Sequence, residues 1–163
     1  MWRYIGNITE DYAANLWLRF KDMPFIFDDE GDGDCQRFLA KSLDPDTKWY
    51  QINNGNIMLS DFKLRKGATV WHTLVAPGEL SYIDAWDIML DAFDRFNLEI
   101  IVSGVPANHP RALRAAEKAG FIVTKITPNF FERFGKKQDM HFMAINREIV
   151  MGMKANLASL RIR

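Results

Sequence analysis

The chain has 163 residues, 48% hydrophobic and 26% charged, and its 21 basic and 21 acidic residues cancel. This is ordinary composition for one domain, with no global field toward nucleic acid or anionic lipid, so nucleic acid is not expected as the main partner. One cysteine (Cys35) excludes an internal disulfide, and the scattered His72, His109 and His141 give no metal spacing.

No stretch approaches the roughly 20 apolar residues of a membrane span, and the first residues lack a signal-peptide core. A soluble, cytoplasmic protein is expected. Twelve Phe, five Trp, four Tyr and eight Met supply either a well-filled core or an apolar face for a partner.

In chain order, residues 2–5 are short and β-prone. Thr9 then caps a helix over about 10–21, whose Tyr12, Ala13, Leu16, Trp17 and Phe20 form one stripe. The acidic run 28–34 matches the start of a calcium loop. Leu39 stands where the bidentate glutamate belongs, so the run reads as a solvated turn. A second helix over about 35–43 stops at Asp44-Pro45-Asp46. Residues 49–52, 57–64 and 68–75 read as strands separated by Gly-containing turns, a three-stranded meander.

After Pro77-Gly78 a helix is predicted over about 82–96, with Ile83, Trp86, Met89, Leu90 and Phe93 on one face. Residues 98–102 form a buried-type strand, 110–119 a helix and 121–126 a strand. A loop through Pro128 and Gly135 leads to a last strand over 140–145. Residues 1–146 form one domain. The 147–163 extension is helical, with Ile149, Val150, Met153, Leu157 and Leu160 placed either to pack back or to dock on another subunit. The order of elements is α+β, a mixed central sheet flanked by helices.

The segment Asn108 to Phe121 carries the most specific pattern. An asparagine turn opens a helix at Pro110, Ala112, Leu113, Ala116 and Ala119 form a small-residue face, and Lys118-Ala119-Gly120 closes the helix into Phe121. Gly120 is placed as a left-handed cap. His109, before Pro110, reads as a capping or surface residue. The segment resembles the carboxy-terminal signature of the Gcn5-related N-acetyltransferase (GNAT) fold, and the element order is similar over about residues 2–145.

That resemblance implies an acetyl-coenzyme A site, where a glycine-rich loop and a helix amino terminus donate backbone N–H groups to the pyrophosphate. Val75, Ser81, Ile83, Asp84, Ala85 and Asn108 are then the cofactor-binding candidates. His72 is the candidate base and Tyr82 the candidate proton donor. The family's basic loop position falls on Leu80, and Ser81, Ile83 and Ala85 fall where glycines are expected, only Ala85 being a usual substitute. Glu79 and Asp84 add negative charge, and the family's tyrosine position is Ala116. The phosphate cradle is expected to be lost, with no cofactor bound.

Val70-Trp71 running into Ala76-Pro77-Gly78-Glu79 also resembles the acetyltransferase-like internal virion proteins of tailed bacteriophages. The expectation is a non-catalytic virion-associated protein for assembly or genome delivery, found in the host cytoplasm and the virion. It would meet virion or host proteins through an aromatic face and the carboxy-terminal helix. The alternatives are an active N-acetyltransferase using acetyl-coenzyme A on an amine, and an inhibitor or adaptor of a host protein.

Overall fold

Each helix start is set by local chemistry. Thr9 accepts the Tyr12 N–H, Asp34 accepts those of Gln36 and Arg37, Ser81 accepts that of Asp84 and Asn146 accepts that of Ile149, so four helices open on side-chain caps. The helix over 110–119 opens on Pro110, whose missing N–H costs nothing in a first turn. A computed structural model describes residues 1–23, 34–53, 55–63, 65–76, 78–133 and 136–160. The 28–33 part of the acidic run lies outside them.

In order the elements are β1 (Trp2–Gly6), α1 (Glu10–Phe20), α2 (Cys35–Leu43), β2 (Lys48–Ile52), β3 (Gly55–Ser60) and β4 (Ala68–Val75). There follow α3 (Tyr82–Phe96), β5 (Ile100–Pro106), α4 (Pro110–Ala119), β6 (Ile122–Arg133), β7 (Lys136–Ile145) and α5 (Arg147–Leu160). The strands form one seven-stranded sheet, β1-β2-β3-β4-β5-β7-β6. Every neighbouring pair is antiparallel except β4 and β5, which are parallel. The predicted α+β class and the β2–β3–β4 meander are both present.

Strand alternation sends side chains to two cores. Tyr50, Ile52, Ile57, Leu59, Trp71 and Ile101 pack under α3 with Trp86, Met89 and Phe93, and α4 and α5 close the same face. Trp49, Met58 and Leu74 pack on the other face against Leu16 and Phe20 of α1 and Phe38 of α2. Trp49, Trp71 and Trp86 are buried and Trp2 and Trp17 half-buried. Among the described residues, Tyr82 and Phe130 are the exposed aromatic rings. The aromatic wealth fills the core.

Several boundaries differ from the sequence reading. β3 ends at Ser60 because Asp61 takes a left-handed backbone (φ 61°) that breaks the strand before residue 64. β5 begins at Ile100 and runs on to Pro106. The expected 127–139 loop is largely β-ladder: β6 and β7 pair through Arg133 and Lys136, and a register shift between Thr127 and Phe131 absorbs Pro128. Ala112 is exposed, so the packed face of α4 is Leu113, Ala116 and Ala119. His109 occupies the α4 cap position without a side-chain cap bond and is buried, which lowers its pKa by desolvation.

The tail packs back. Val150 is fully buried, and Ile149, Met153 and Leu157 lie against the α3-side core, so the apolar stripe of α5 is used within the chain. Lys154 pairs with Asp87 across the α3–α5 contact. Among the described residues, no helix is long and apolar enough to cross a membrane.

Candidate functional site

The parallel pair β4–β5 is joined at one end only. Ala68, Thr69 and Val70 match Ile100, Ile101 and Val102, and there the mutual register stops. Beyond it β4 stays with β3 up to Val75 and β5 stays with β7 up to Pro106, so the sheet divides into two halves. The chain leaves β4 beside the wedge between them and leads into α3. The wedge is the place in this topology where an extended ligand can lie against the C-terminal ends of strands.

The root of the wedge is already bridged. Ser103 Oγ of β5 donates to the Trp71 carbonyl of β4 at 3.2 Å, and the buried Trp71 indole donates to Thr73 Oγ at 2.9 Å. The β4–α3 connection turns at Ala76–Glu79, closed by the Glu79 N–H to the Ala76 carbonyl, with Gly78 at φ 86°.

Helix α3 then begins on a serine cap. Ser81 Oγ accepts the Asp84 N–H at 3.0 Å and donates to Asp84 Oδ2 at 2.8 Å, and the Ala85 N–H bonds the Ser81 carbonyl. One of the four orphan donors, the Asp84 N–H, is thus satisfied from within, and the Asp84 carboxylate lies in the first turn, near the positive end of the helix.

The remaining cofactor candidates do not converge on this end. Val75 packs inward opposite Gly55, Ile83 faces α5 in a groove shared with Trp86, Lys154 and Leu157, and Ala85 is buried in the core. Asn108 is exposed in the β5–α4 turn. Tyr82 stacks on Trp86 at 6.1 Å between ring centroids and is 40% exposed.

These residues do not fit a pyrophosphate. Glu79 ends the turn that leads to α3 and Asp84 lies in its first turn, so both set negative charge at this helix end. Like charges about 4 Å apart repel by about 1 kcal/mol in water and about 4 at an effective dielectric of 20.

His72 lies on the opposite face from Tyr82, because Trp71 beside it points toward α3. The two catalytic candidates are therefore not brought together. His72 Nε2 is 2.9 Å from Ser60 Oγ, which donates to Asp61, and Lys41 of α2 reaches that carboxylate at 3.2 Å. Burial alone would raise the Asp61 carboxyl. The Ser60 hydroxyl, the Lys41 ammonium and His72 outweigh it and hold the carboxyl below its ordinary value.

Ser60 itself is 1% exposed and His72, Asp61 and Lys41 are half-buried, so the row is a tie between β3, β4 and α2 rather than an open nucleophile. The sequence reading missed Ser60, Asp61 and Lys41 as partners of His72. Their only signal was a polar pair ending an apolar strand. Among the described residues, no group of three or more His, Cys, Asp or Glu side chains is placed to hold a metal.

At the level of sequence, no protein-family model matches the chain, and no curated protein does. Solved structures do match. A chimera of Vibrio cholerae spermidine N-acetyltransferase SpeG and hSSAT aligns with TM-score 0.65 and 18% identity, covering 93% of this chain and 99% of that one. A GNAT-family acetyltransferase of Bacillus anthracis aligns with TM-score 0.68 and 12% identity, covering 90% and 95%. The fold is that of the Gcn5-related N-acetyltransferases. The SpeG enzyme crystallised with manganese ions aligns similarly, at TM-score 0.62 and 18% identity over 93% and 95% of the two chains. At such identities the likeness carries the GNAT fold alone.

Proposed function

We propose that this chain is a non-catalytic protein on the GNAT fold, a bacteriophage virion-associated protein acting in assembly or genome delivery. The observation that carries the non-catalytic part is the Ser81–Asp84 pair of hydrogen bonds at the amino terminus of α3. It takes up the Asp84 N–H and sets a carboxylate in the first turn of the helix, where its charge opposes a pyrophosphate. The virion part rests on the Trp71 strand running into Ala76-Pro77-Gly78-Glu79. With the apolar stripe of α5 turned inward, partner contact falls to its outer side, where Met151 is 50% exposed, and to exposed rings such as Phe130.

A second reading, an active acetyltransferase transferring acetyl from acetyl-coenzyme A to an amine, draws support from one feature. The β4–β5 wedge is kept, with His72 on the β4 segment beside it. Calorimetric titration with acetyl-coenzyme A separates the two. The non-catalytic reading expects no binding at millimolar cofactor, and micromolar affinity overturns it. Co-purification with virions tests the assembly role, and absence from purified particles removes it.

A further inference from the structure

The chain is neutral as a whole, but its charges are unevenly placed. Between Ala107 and Met140, seven basic residues stand against Glu117, Glu132 and Asp139, so the rest of the chain holds the balancing excess of acid. Elsewhere cations are matched: Lys41, Lys63, Arg65, Arg95, Arg147 and Lys154 each lie against a carboxylate. Among the described residues, Arg111, Arg114 and Lys118 of α4 make no ion pair, and Glu117, the one acid of that helix, bonds none of them.

These three cations form one row. Their spacing of three and four residues sets them on one side of α4, opposite Leu113, Ala116 and Ala119, which pack on the core. All three are exposed, as are Ala112 and Ala115 beside them, and the row spans about 10 Å along the helix. Arg114 and Lys118 are like charges one turn apart, and the first turn holds no acid. Both features weaken a helix, and an anionic partner relieves both.

The row also indicates which partner fits. A membrane surface takes a helix by its apolar side, and that side of α4 is packed on the core. A protein interface centres on bulky anchors with charge at its rim, whereas here the charges are central and only alanines lie among them. A nucleic-acid backbone needs no such anchor, and Arg meets a phosphate with two parallel bonds. The B-DNA major groove, about 12 Å wide, admits a helix that the narrow groove of A-form RNA excludes.

We propose that the outer side of α4 is a contact surface for the phosphate backbone of double-stranded DNA, made by Arg111, Arg114 and Lys118 without regard to base sequence. It holds whether or not acetyl-coenzyme A binds and whether or not the chain enters a virion. The test is fluorescence anisotropy of a labelled, mixed-sequence DNA duplex titrated with the full chain at salt from about 50 to about 200 mM. Three phosphate contacts give a log–log salt slope of about −2.7, a loss of about fortyfold over that range. Arg111→Gln, Arg114→Gln and Lys118→Gln together should weaken binding by about tenfold or more at the lower salt, and Arg114→Gln alone should reduce the slope by about one. The control Lys21→Gln, Lys63→Gln and Arg65→Gln makes the same change in net charge and should bind within about twofold of the unchanged chain.

Absence of saturable binding at the lower salt overturns the proposal, as does unchanged binding in the α4 triple variant or equal weakening in the control. Polyglutamate or an RNA duplex binding as tightly as the DNA overturns it too. All six substituted side chains are exposed, and circular dichroism checks that the variants keep the fold. If the α4 triple variant unfolds, the salt slope of Arg114→Gln still decides.

Discussion

Ser81 Oγ accepts the Asp84 N–H at 3.0 Å and donates to the same residue's carboxylate at 2.8 Å, a reciprocal bond that closes the first turn of α3. If it is a structural cap, Ser81→Ala should lower the unfolding free energy by about 1 kcal/mol, as cap removals do. Asp84→Ala should cost less, and the double variant should cost less than the sum because the two residues share one interaction. Urea unfolding of the three variants checks this. Full additivity would mean that the residues act separately.

Tyr50 and Asp91 tie β2 to α3. The buried Tyr50 hydroxyl donates to Asp91 Oδ2 at 2.7 Å, and Arg95 holds both oxygens of that carboxylate at 2.8 Å. Burial would raise the Asp91 carboxyl, but the bonds from Arg95 and Tyr50 win and hold it below its ordinary value. Its stability contribution is therefore complete above the unfolded pKa of about 3.9 and is lost as pH falls through the lower folded value.

Burial, reinforced by Asp91, raises the Tyr50 phenol. That contribution is present below the unfolded pKa of about 10 and fades as pH rises past it. Tyr50→Phe should cost about 1 kcal/mol at neutral pH and flatten the alkaline decline while leaving an acid decline. Unfolding midpoints followed across pH measure both limbs, and an unchanged alkaline limb would refute the assignment.

What the sequence made legible was local. Pro110 and Gly120 bound α4 because a missing N–H and a left-handed cap are single-residue properties, and Gly120 does adopt φ 103°. The stripe of α1 is read from spacing, and Ala13, Leu16 and Phe20 are buried as that spacing requires. The β4–β5 wedge has no local signal, since it arises where two strands keep different partners. The β6–β7 ladder was hidden by Pro128 and Gly135, residues that read as breakers although a register shift accommodates the first. The tie between α1 and β3 rests on a buried Asn56 inside an apolar strand, a residue whose partner Tyr12 lies 44 positions away.

Gly55 opens β3 directly against the end of β4. A side-chain carbon there would stand 2.2 Å from Val75 Cγ1 and 2.5 Å from the Leu74 carbonyl oxygen. Gly55→Ala should destabilise by about 3 kcal/mol, at the upper end for overpacking, because a backbone oxygen cannot swing aside. Adding Val75→Ala should recover only part of the loss, since the clash with Leu74 remains. Denaturant midpoints of the single and double variants check this, and full recovery would show that the carbonyl yields.

Trp86 shows what the signature helix does in this chain. Its indole N–H donates to the Ala119 carbonyl at 2.8 Å, in a buried setting, one residue before the Gly120 cap. The bond anchors the end of α4 to α3, so the segment that resembles an enzyme's signature holds two helices together. Trp86→Phe leaves that carbonyl buried without its donor and opens a void, a cost of about 2–3 kcal/mol. Trp71→Phe is the control. Its indole bonds Thr73 Oγ, which is exposed and has water as a replacement, so the hydrogen-bond part of its cost should be smaller, about 1 kcal/mol. Thermal unfolding of the two variants, with near-ultraviolet dichroism to confirm native packing, measures the difference. Equal losses would mean that ring volume alone sets the cost and that the Trp86–Ala119 bond contributes nothing particular to the α3–α4 contact.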